Sequence, residues 1–230
     1  MSEIDSRQTK AQRRRWHNDR MYNPAHFAET RVDVLYAFVA AHPLATLVTN
    51  GDAVPEATQL PVFADPAAGL LRCHMARANP QWRALESGKR ALVMFSGTDH
   101  YITPGWYGSK REHGKVVPTW NYAAVHASGT ARLIADAPAL LRHLHELTDF
   151  HEAGREEPWS VADAPSEYIE GMMKAIVGIE ITVERLEGKW KASQNRPAAD
   201  QLGVIAGLEA LGSHESREMA RLVRESKSTR

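Results

Sequence analysis

The sequence predicts an α+β fold built on one antiparallel sheet. Six or more strand-like segments follow one another mostly as hairpins, joined by turns such as Asn50-Gly51-Asp52 and Asp65-Pro66-Ala67-Ala68-Gly69. Helical patterns cluster between and after these segments and do not alternate with them one by one, as a parallel sheet would require. A sheet of this kind loses its exposed edges by closing into a small barrel. At 230 residues the chain has enough length for one substantial core with appended helices.

Residues 1–20 are polar, carry Arg7, Lys10, Arg13, Arg14, Arg15 and Arg20, and lack a periodic apolar face. They read as a basic, disordered arm. A helix is expected over about Thr30 to Ala41, with Val32, Leu35, Tyr36 and Val39 on one face and His42-Pro43 as the stop. Leu44 to Thr49 reads as a strand and Asn50-Gly51-Asp52 as a hairpin turn, since asparagine and glycine accept positive φ. The returning strand covers about Val54 to Phe63, where Pro55 and Pro61 point to an edge position or a bulge. Gly69 to Met75 is the third strand.

Asn79-Pro80 opens a short helix that ends near Gly88, because asparagine caps and proline fits the first helical position. Ala91 to Phe95 is a buried strand, Tyr101-Ile102 begins another, and Thr119 to Ile134 is a long one with a bend at Gly129. Helices follow from Pro138 to about Phe150 and from Asp163 to about Ile176. Val177 to Leu186 is a strand, and Glu187-Gly188 turns it into a separate strand, Lys189 to Ser193. Ala198 to Leu211 and Ser213 to Lys227 are helical. The domain division is therefore an arm (1–20), a main domain (21–212) and a helical tail (213–230).

The formal net charge is zero, so nothing in the overall charge argues for nucleic-acid binding. Cys73 is the single cysteine, which excludes an intrachain disulfide and a cysteine zinc site and fits a reducing cytoplasm. No apolar run is long enough to span a bilayer, and the N-terminus lacks the apolar stretch of a secretory signal. A cytoplasmic protein with no membrane partner is the expectation. The chain has no phosphate loop and no dinucleotide glycine fingerprint. Asp99-His100 lacks a nucleophile context for hydrolysis.

Tyr101 to Gly129 mixes Trp106, Tyr107, Trp120 and Tyr122 with Lys110, Arg111, His113 and Lys115. Cations beside flat aromatics suit a flat anionic ligand, such as a flavin phosphate or a porphyrin propionate; an exposed strand pair with a basic loop is the plain alternative. Lys115 adjoins the long strand and is the best placed of these cations for a phosphate. Period-two alternation puts Thr119 and Asn121 on one face, where they can supply hydrogen bonds, and Trp120 on the other, where it packs or covers. His74 to Pro80 (HMARANP) lies where a strand gives way to a helix start, a natural place for a phosphate, and Arg77 there is suited to a bidentate contact. Otherwise Asn79 is only a cap, Arg77 a solvated side chain and His74 a packed one. Lys191, Ser193 and Asn195 share a face if their strand stays extended; alternatively Ser193, Gln194 and Asn195 only cap the next helix. His143, His145 and His151 read as surface residues.

Five blocks, MYNPAHF (21–27), HMARANPQW (74–82), YITPGWY (101–107), HGKVVPTWNYAAVHASG (113–129) and GKWKASQNRP (188–197), resemble in order the PaiB-type family of FMN-binding negative transcriptional regulators. The resemblance spans about Met21 to Gly212. It implies a split β-barrel of the pyridoxamine-phosphate-oxidase-like type, a homodimer, and two FMN sites at the subunit interface. On that reading His74, Arg77, Asn79, Lys115, Thr119, Trp120, Asn121, Lys191, Ser193, Gln194 and Asn195 contact the cofactor. The HMARANPQW block is also similar to one in haem-dependent piperazate synthases, whose first histidine holds iron. That similarity leaves open haem b on His74 and an oxidoreductase acting on a small nitrogen-containing molecule. Among macromolecular partners the family description implies DNA. No recognition-helix pattern is visible, and the arm lies outside the resembling blocks.

Overall fold

The computed structural model describes residues 21–86 and 88–228. The basic arm expected before Met21 lies outside the described residues. Eight strands form one sheet among them: β1 (Ala28–Glu29), β2 (Leu44–Asn50), β3 (Pro55–Pro61), β4 (Phe63–Asp65), β5 (Leu70–Ala76), β6 (Arg90–Ile102), β7 (Thr119–Leu133) and β8 (Ile176–Lys191). Their order is β3-β2-β6-β7-β8-β5-β4, with β1 beside β8, and every pairing is antiparallel. The two outermost strands, β3 and β4, are separated in the chain by Val62 alone. That tie brings the two ends of the sheet together and curls it into a barrel. Pro55 and Pro61 sit on the edge strand β3, where the missing N–H costs little.

Alternation along the strands supplies the barrel core. Ala45 and Leu47, Leu71, Cys73 and Met75, Val93 and Phe95, Val125 and Ala127, and Ile179 and Ile181 all point inward and are buried. Helix α1 (Val32–Ala41) adds Leu35 and Val39 to the same core, while Val32 in its first turn is exposed. Gly188 lets α1 approach: a Cβ there would come within 2.2 Å of Leu35 Cδ2.

Helix α2 (Ser109–His113) is a short turn made by residues that read as a charged loop. Gly114 ends it in the left-handed conformation, at φ 67°. Helix α3 (Ala137–Glu152) starts at Asp136, whose carboxylate accepts from Ala139 N, and it lies over β5 and β8 on the face opposite the core. Gly178 on β8 makes room for its Leu140. Helix α4 (Ser166–Lys174) is shorter than expected: Asp163 ends a separate 3₁₀ turn, Val161–Asp163, closed by a Ser160–Asp163 capping box, and Ala164 is extended before Pro165 caps the helix.

Helices α5 (Ala198–Leu211) and α6 (His214–Ser228) share a second core with the end of β6, built from Ile102, Tyr107, Val204, Leu208, Met219 and Val223. Trp106 lies flat on α5 because Gly203 and Gly207 carry no side chain there. A Cβ on Gly207 would sit 2.3 Å from the indole ring.

Four expectations need correction. Ala91–Phe95 and Tyr101–Ile102 belong to one strand, β6, which absorbs the polar Gly97-Thr98-Asp99-His100 run through a bulge between Ser96 and Asp99. Val177–Leu186 and Lys189–Lys191 are likewise one strand, because β7 pairs β8 continuously past Gly188. The β2–β3 turn spans four residues, and Gly51 is not among the positive-φ glycines. His143 is fully buried, not a surface residue.

Candidate functional site

The expected site residues fall into two groups. The first gathers where β7 begins and β8 ends, with Tyr122 registered against Lys191. Alternation along β7 buries Asn121 and leaves Trp120 54% exposed, with Thr119 half-buried. Lys191 Nζ donates to Thr119 Oγ1 and to the Trp120 carbonyl. The strand ends at Lys191, so the polar run beyond it does not stay extended. Ser193 turns the chain with a φ of 64° and accepts a 2.9 Å hydrogen bond from Asn121 Nδ2. Gln194 closes the same turn, accepting from Ala192 N and donating to the Trp190 carbonyl. Asn195 is exposed.

This group is polar and incompletely satisfied. Asn121 Oδ1 and the Tyr107 hydroxyl are buried without a hydrogen-bond partner. Lys189 Nζ donates to the Tyr22 carbonyl at 2.7 Å and lies near the Tyr22 and Tyr122 rings, at 5.4 and 5.5 Å. The Arg196 guanidinium stacks over Tyr107 at 4.7 Å. Among the described residues neither Lys189 nor Lys191 is in an ion pair with a carboxylate. Burial, with the charges of Lys189 and Arg196, pushes the Lys191 ammonium below its ordinary range. An anion placed here would relieve that repulsion.

Lys115 lies on the exposed loop that follows α2, four residues before β7 begins, and its N–H donates to His113 Nδ1. Buried Asp200 anchors α2, accepting from Ser109 N at 3.0 Å and from Ser109 Oγ at 2.6 Å. Exposed Tyr101 and Trp120 form a small apolar patch, meeting edge-on at 6.1 Å, and Val117 is exposed as well.

The second group is at the far end of β8. His74 on β5 registers against Gly178, thirteen residues before Lys191, or roughly 40 Å of strand. Arg77 and Asn79 are close by, each with structural work. Arg77 donates from Nε and Nη2 to the carbonyls of Lys174 and Ile176, both at 2.9 Å, clamping the end of α4. Asn79 caps the 3₁₀ turn Pro80–Leu85 through Gln81 N and donates to Thr58 Oγ1. Gln81 is buried and binds the Leu47 and Glu56 carbonyls and Thr49 Oγ1. One chain therefore brings Thr119, Asn121, Lys191 and Ser193 together and keeps His74, Arg77 and Asn79 apart from them.

Sequence reasoning missed the partner of His74. His74 Nδ1 lies 3.2 Å from His143 Nε2 on α3, and His143 Nδ1 is buried without a partner. Burial pushes both imidazoles down, His143 to about 4, aided by His74 and the nearby Arg72 charge. The i, i+3, i+7 spacing of Leu140, His143 and Leu147 was the available signal. Beside the pair, Arg72 binds Glu146 and Glu180 at 3.0 Å each, and Glu180 also accepts from Arg132.

Residues 21–185 match the family model described as "Putative FMN-binding domain". The chain belongs to this family. Two relatives extend the likeness over nearly the whole chain. An uncharacterised protein of Emericella nidulans is 36% identical, covering 89% of this chain and 97% of that one. The Bacillus subtilis protease synthase and sporulation protein PAI 2 is 34% identical, covering 88% of this chain and 96% of its own length. The resemblance to the PaiB-type FMN-binding family is thus borne out. Among solved structures, an FAD and haem binding protein of Mycobacterium smegmatis superposes with a TM-score of 0.55 at 21% identity, over 71% of this chain and 73% of that one. The flavocytochrome Anf3 of Azotobacter vinelandii superposes at 0.53 and 18% identity, over 71% and 69%. These likenesses bear out the split-barrel fold. No helix among the described residues is long and apolar enough to cross a membrane.

Proposed function

We propose that the protein is a dimeric PaiB-type regulator in the cytoplasm, with FMN lying between the Lys191 region of one copy and the His74 region of the other. The observation that carries this is the incompletely satisfied polar cluster where β7 begins and β8 ends. It has a buried acceptor with no partner and two lysines without carboxylates, beside an apolar patch that water alone would cover. A phosphate suits Lys191, Arg196 and Lys115. Trp120 and Tyr101 supply the flat cover. Bound FMN would add two-electron redox chemistry and visible absorbance. A second copy completes the site by bringing up His74, Arg77 and Asn79, which a single chain holds too far off.

Regulation rests on the kinship with PAI 2, whose name ties that protein to protease synthesis and sporulation. A DNA partner would be met through phosphate contacts by the basic segment at residues 7–20, with a steep salt dependence. A second reading keeps the fold and exchanges the cofactor: an oxidoreductase with haem on the half-buried His74.

Titrating the purified chain with FMN, and separately with haemin, decides between them. Saturable FMN binding at one per chain, with a dimer on sizing, is expected. A His74-dependent Soret band with no flavin uptake would overturn the reading.

A further inference from the structure

We propose that His143 is a positioning residue that holds His74 in its Nε2–H tautomer, so that His74 offers a hydrogen-bond donor to an oxygen of the cofactor and not a lone pair to a metal. The geometry leaves two arrangements. His74 Nδ1 and His143 Nε2 face each other at 3.2 Å, so a neutral pair shares one hydrogen there. In the first arrangement His143 Nε2–H donates to His74 Nδ1, and His143 Nδ1 is a bare acceptor. In the second, His74 Nδ1–H donates, and His143 Nδ1 carries a hydrogen of its own.

His143 is fully buried and its Nδ1 has no partner. The second arrangement therefore buries an orphaned N–H, the rarer and costlier kind of unsatisfied group; the first buries only an unused lone pair. The surroundings act the same way. His143 lines a cavity with Arg72, Arg132 and Arg142 from three elements, while Glu146 and Glu180 in that cavity already accept from Arg72 or Arg132. The Arg72 charge acts directly on the ring, which favours a lone pair over an N–H.

The choice at His143 passes through the hydrogen bond to His74, whose remaining nitrogen, Nε2, then carries the hydrogen. Such a ring meets a carbonyl or phosphate oxygen. An axial haem ligand needs the opposite tautomer, with the hydrogen on Nδ1 and Nε2 bare. The inference rests on the FMN reading for what His74 meets, but the tautomer itself is a property of the cofactor-free chain.

The test is ¹⁵N imidazole correlation spectroscopy on the full cofactor-free chain at pH 7.5, with the His74 signals identified by their loss in His74→Gln. An Nε2–H ring at His74 is expected in the wild type, and an Nδ1–H ring would overturn the proposal. His143→Leu should release His74 into mixed tautomers and weaken FMN binding several-fold. His143→Gln, which keeps a donor near the Nε2 position, should restore both, an outcome that a merely space-filling His143 would not give. A His74 tautomer unchanged in His143→Leu also overturns the proposal. If the leucine variant does not fold, the wild-type spectrum decides alone. A wild type with the Nε2–H ring but no FMN affinity would sink the FMN reading and leave the tautomer assignment standing.

Discussion

Asn121 on β7 donates from Nδ2 to the hydroxyl of Ser193 at 2.9 Å, and Ser193 holds a positive φ that few non-glycine residues adopt. The bond joins two stretches 72 residues apart and fixes the turn that leaves β8. Ser193→Ala should leave a buried amide donor without a partner and cost about 1–3 kcal/mol. Ser193→Gly loses the same bond but relieves the strained φ, so it should cost less than the alanine variant. Urea midpoints of the three proteins check the order.

Lys191 has a half-buried ammonium without a carboxylate, depressed by burial and two neighbouring cations. Removing it should relieve repulsion in the free protein and remove attraction in the bound one. Lys191→Ala should therefore leave stability nearly unchanged and weaken FMN by about 10- to 100-fold, the range for a charge-assisted hydrogen bond. Flavin titrations at low and high salt check this, and the wild type should show the steeper salt dependence.

Acid should loosen the α3–sheet contact in two stages. The folded-state pKa of His143 is lowered from 6.5 to about 4, so the folded state favours the neutral ring. Its contribution is whole above pH 6.5 and fades toward pH 4, reaching on the order of 3 kcal/mol. Burial pushes the Glu180 carboxyl up, but the bonds from Arg72 and Arg132 outweigh it and leave the pKa lowered. That contribution is present above about 4.5 and is lost as pH falls through the lowered value. His143→Leu should therefore flatten the stability profile between pH 6.5 and 4, and Glu180→Gln only below about pH 4.5. Urea midpoints across pH 3 to 8 separate the two.

Gly207 leaves the space that the Trp106 indole fills against α5. Gly207→Ala should force the ring off the helix and cost about 1–3 kcal/mol, despite alanine's better helix propensity. A red-shifted tryptophan emission together with a lower melting temperature would bear this out.

Much of the fold was legible because period-two and period-3.6 patterns follow burial directly. The edge prolines of β3, the α5 boundaries and the opposition of Asn121 to Trp120 were all readable in that way. The continuity of β6 and β8 was not. Gly97 to His100 looks like a turn by composition, and only the partner strand β7 keeps it extended. The site was half legible. Residue type and alternation pointed to Thr119, Asn121 and Lys191. The buried role of His143 depends on which helix covers His74, a long-range contact that no local pattern encodes. The clamping work of Arg77 on the end of α4 was invisible for the same reason, whereas the Asn79 cap is legible in the Asn79-Pro80 pair.

The claim of a site shared between two copies is tested most directly by subunit complementation. His74→Ala and Lys191→Ala chains, differently tagged, are purified as the mixed dimer and titrated with FMN. A shared site leaves one intact pair per mixed dimer, so one wild-type-affinity FMN per two chains is expected, although neither variant alone binds well. A site confined to a single chain would be damaged in both copies, and a mixed dimer no better than its parents would contradict the account.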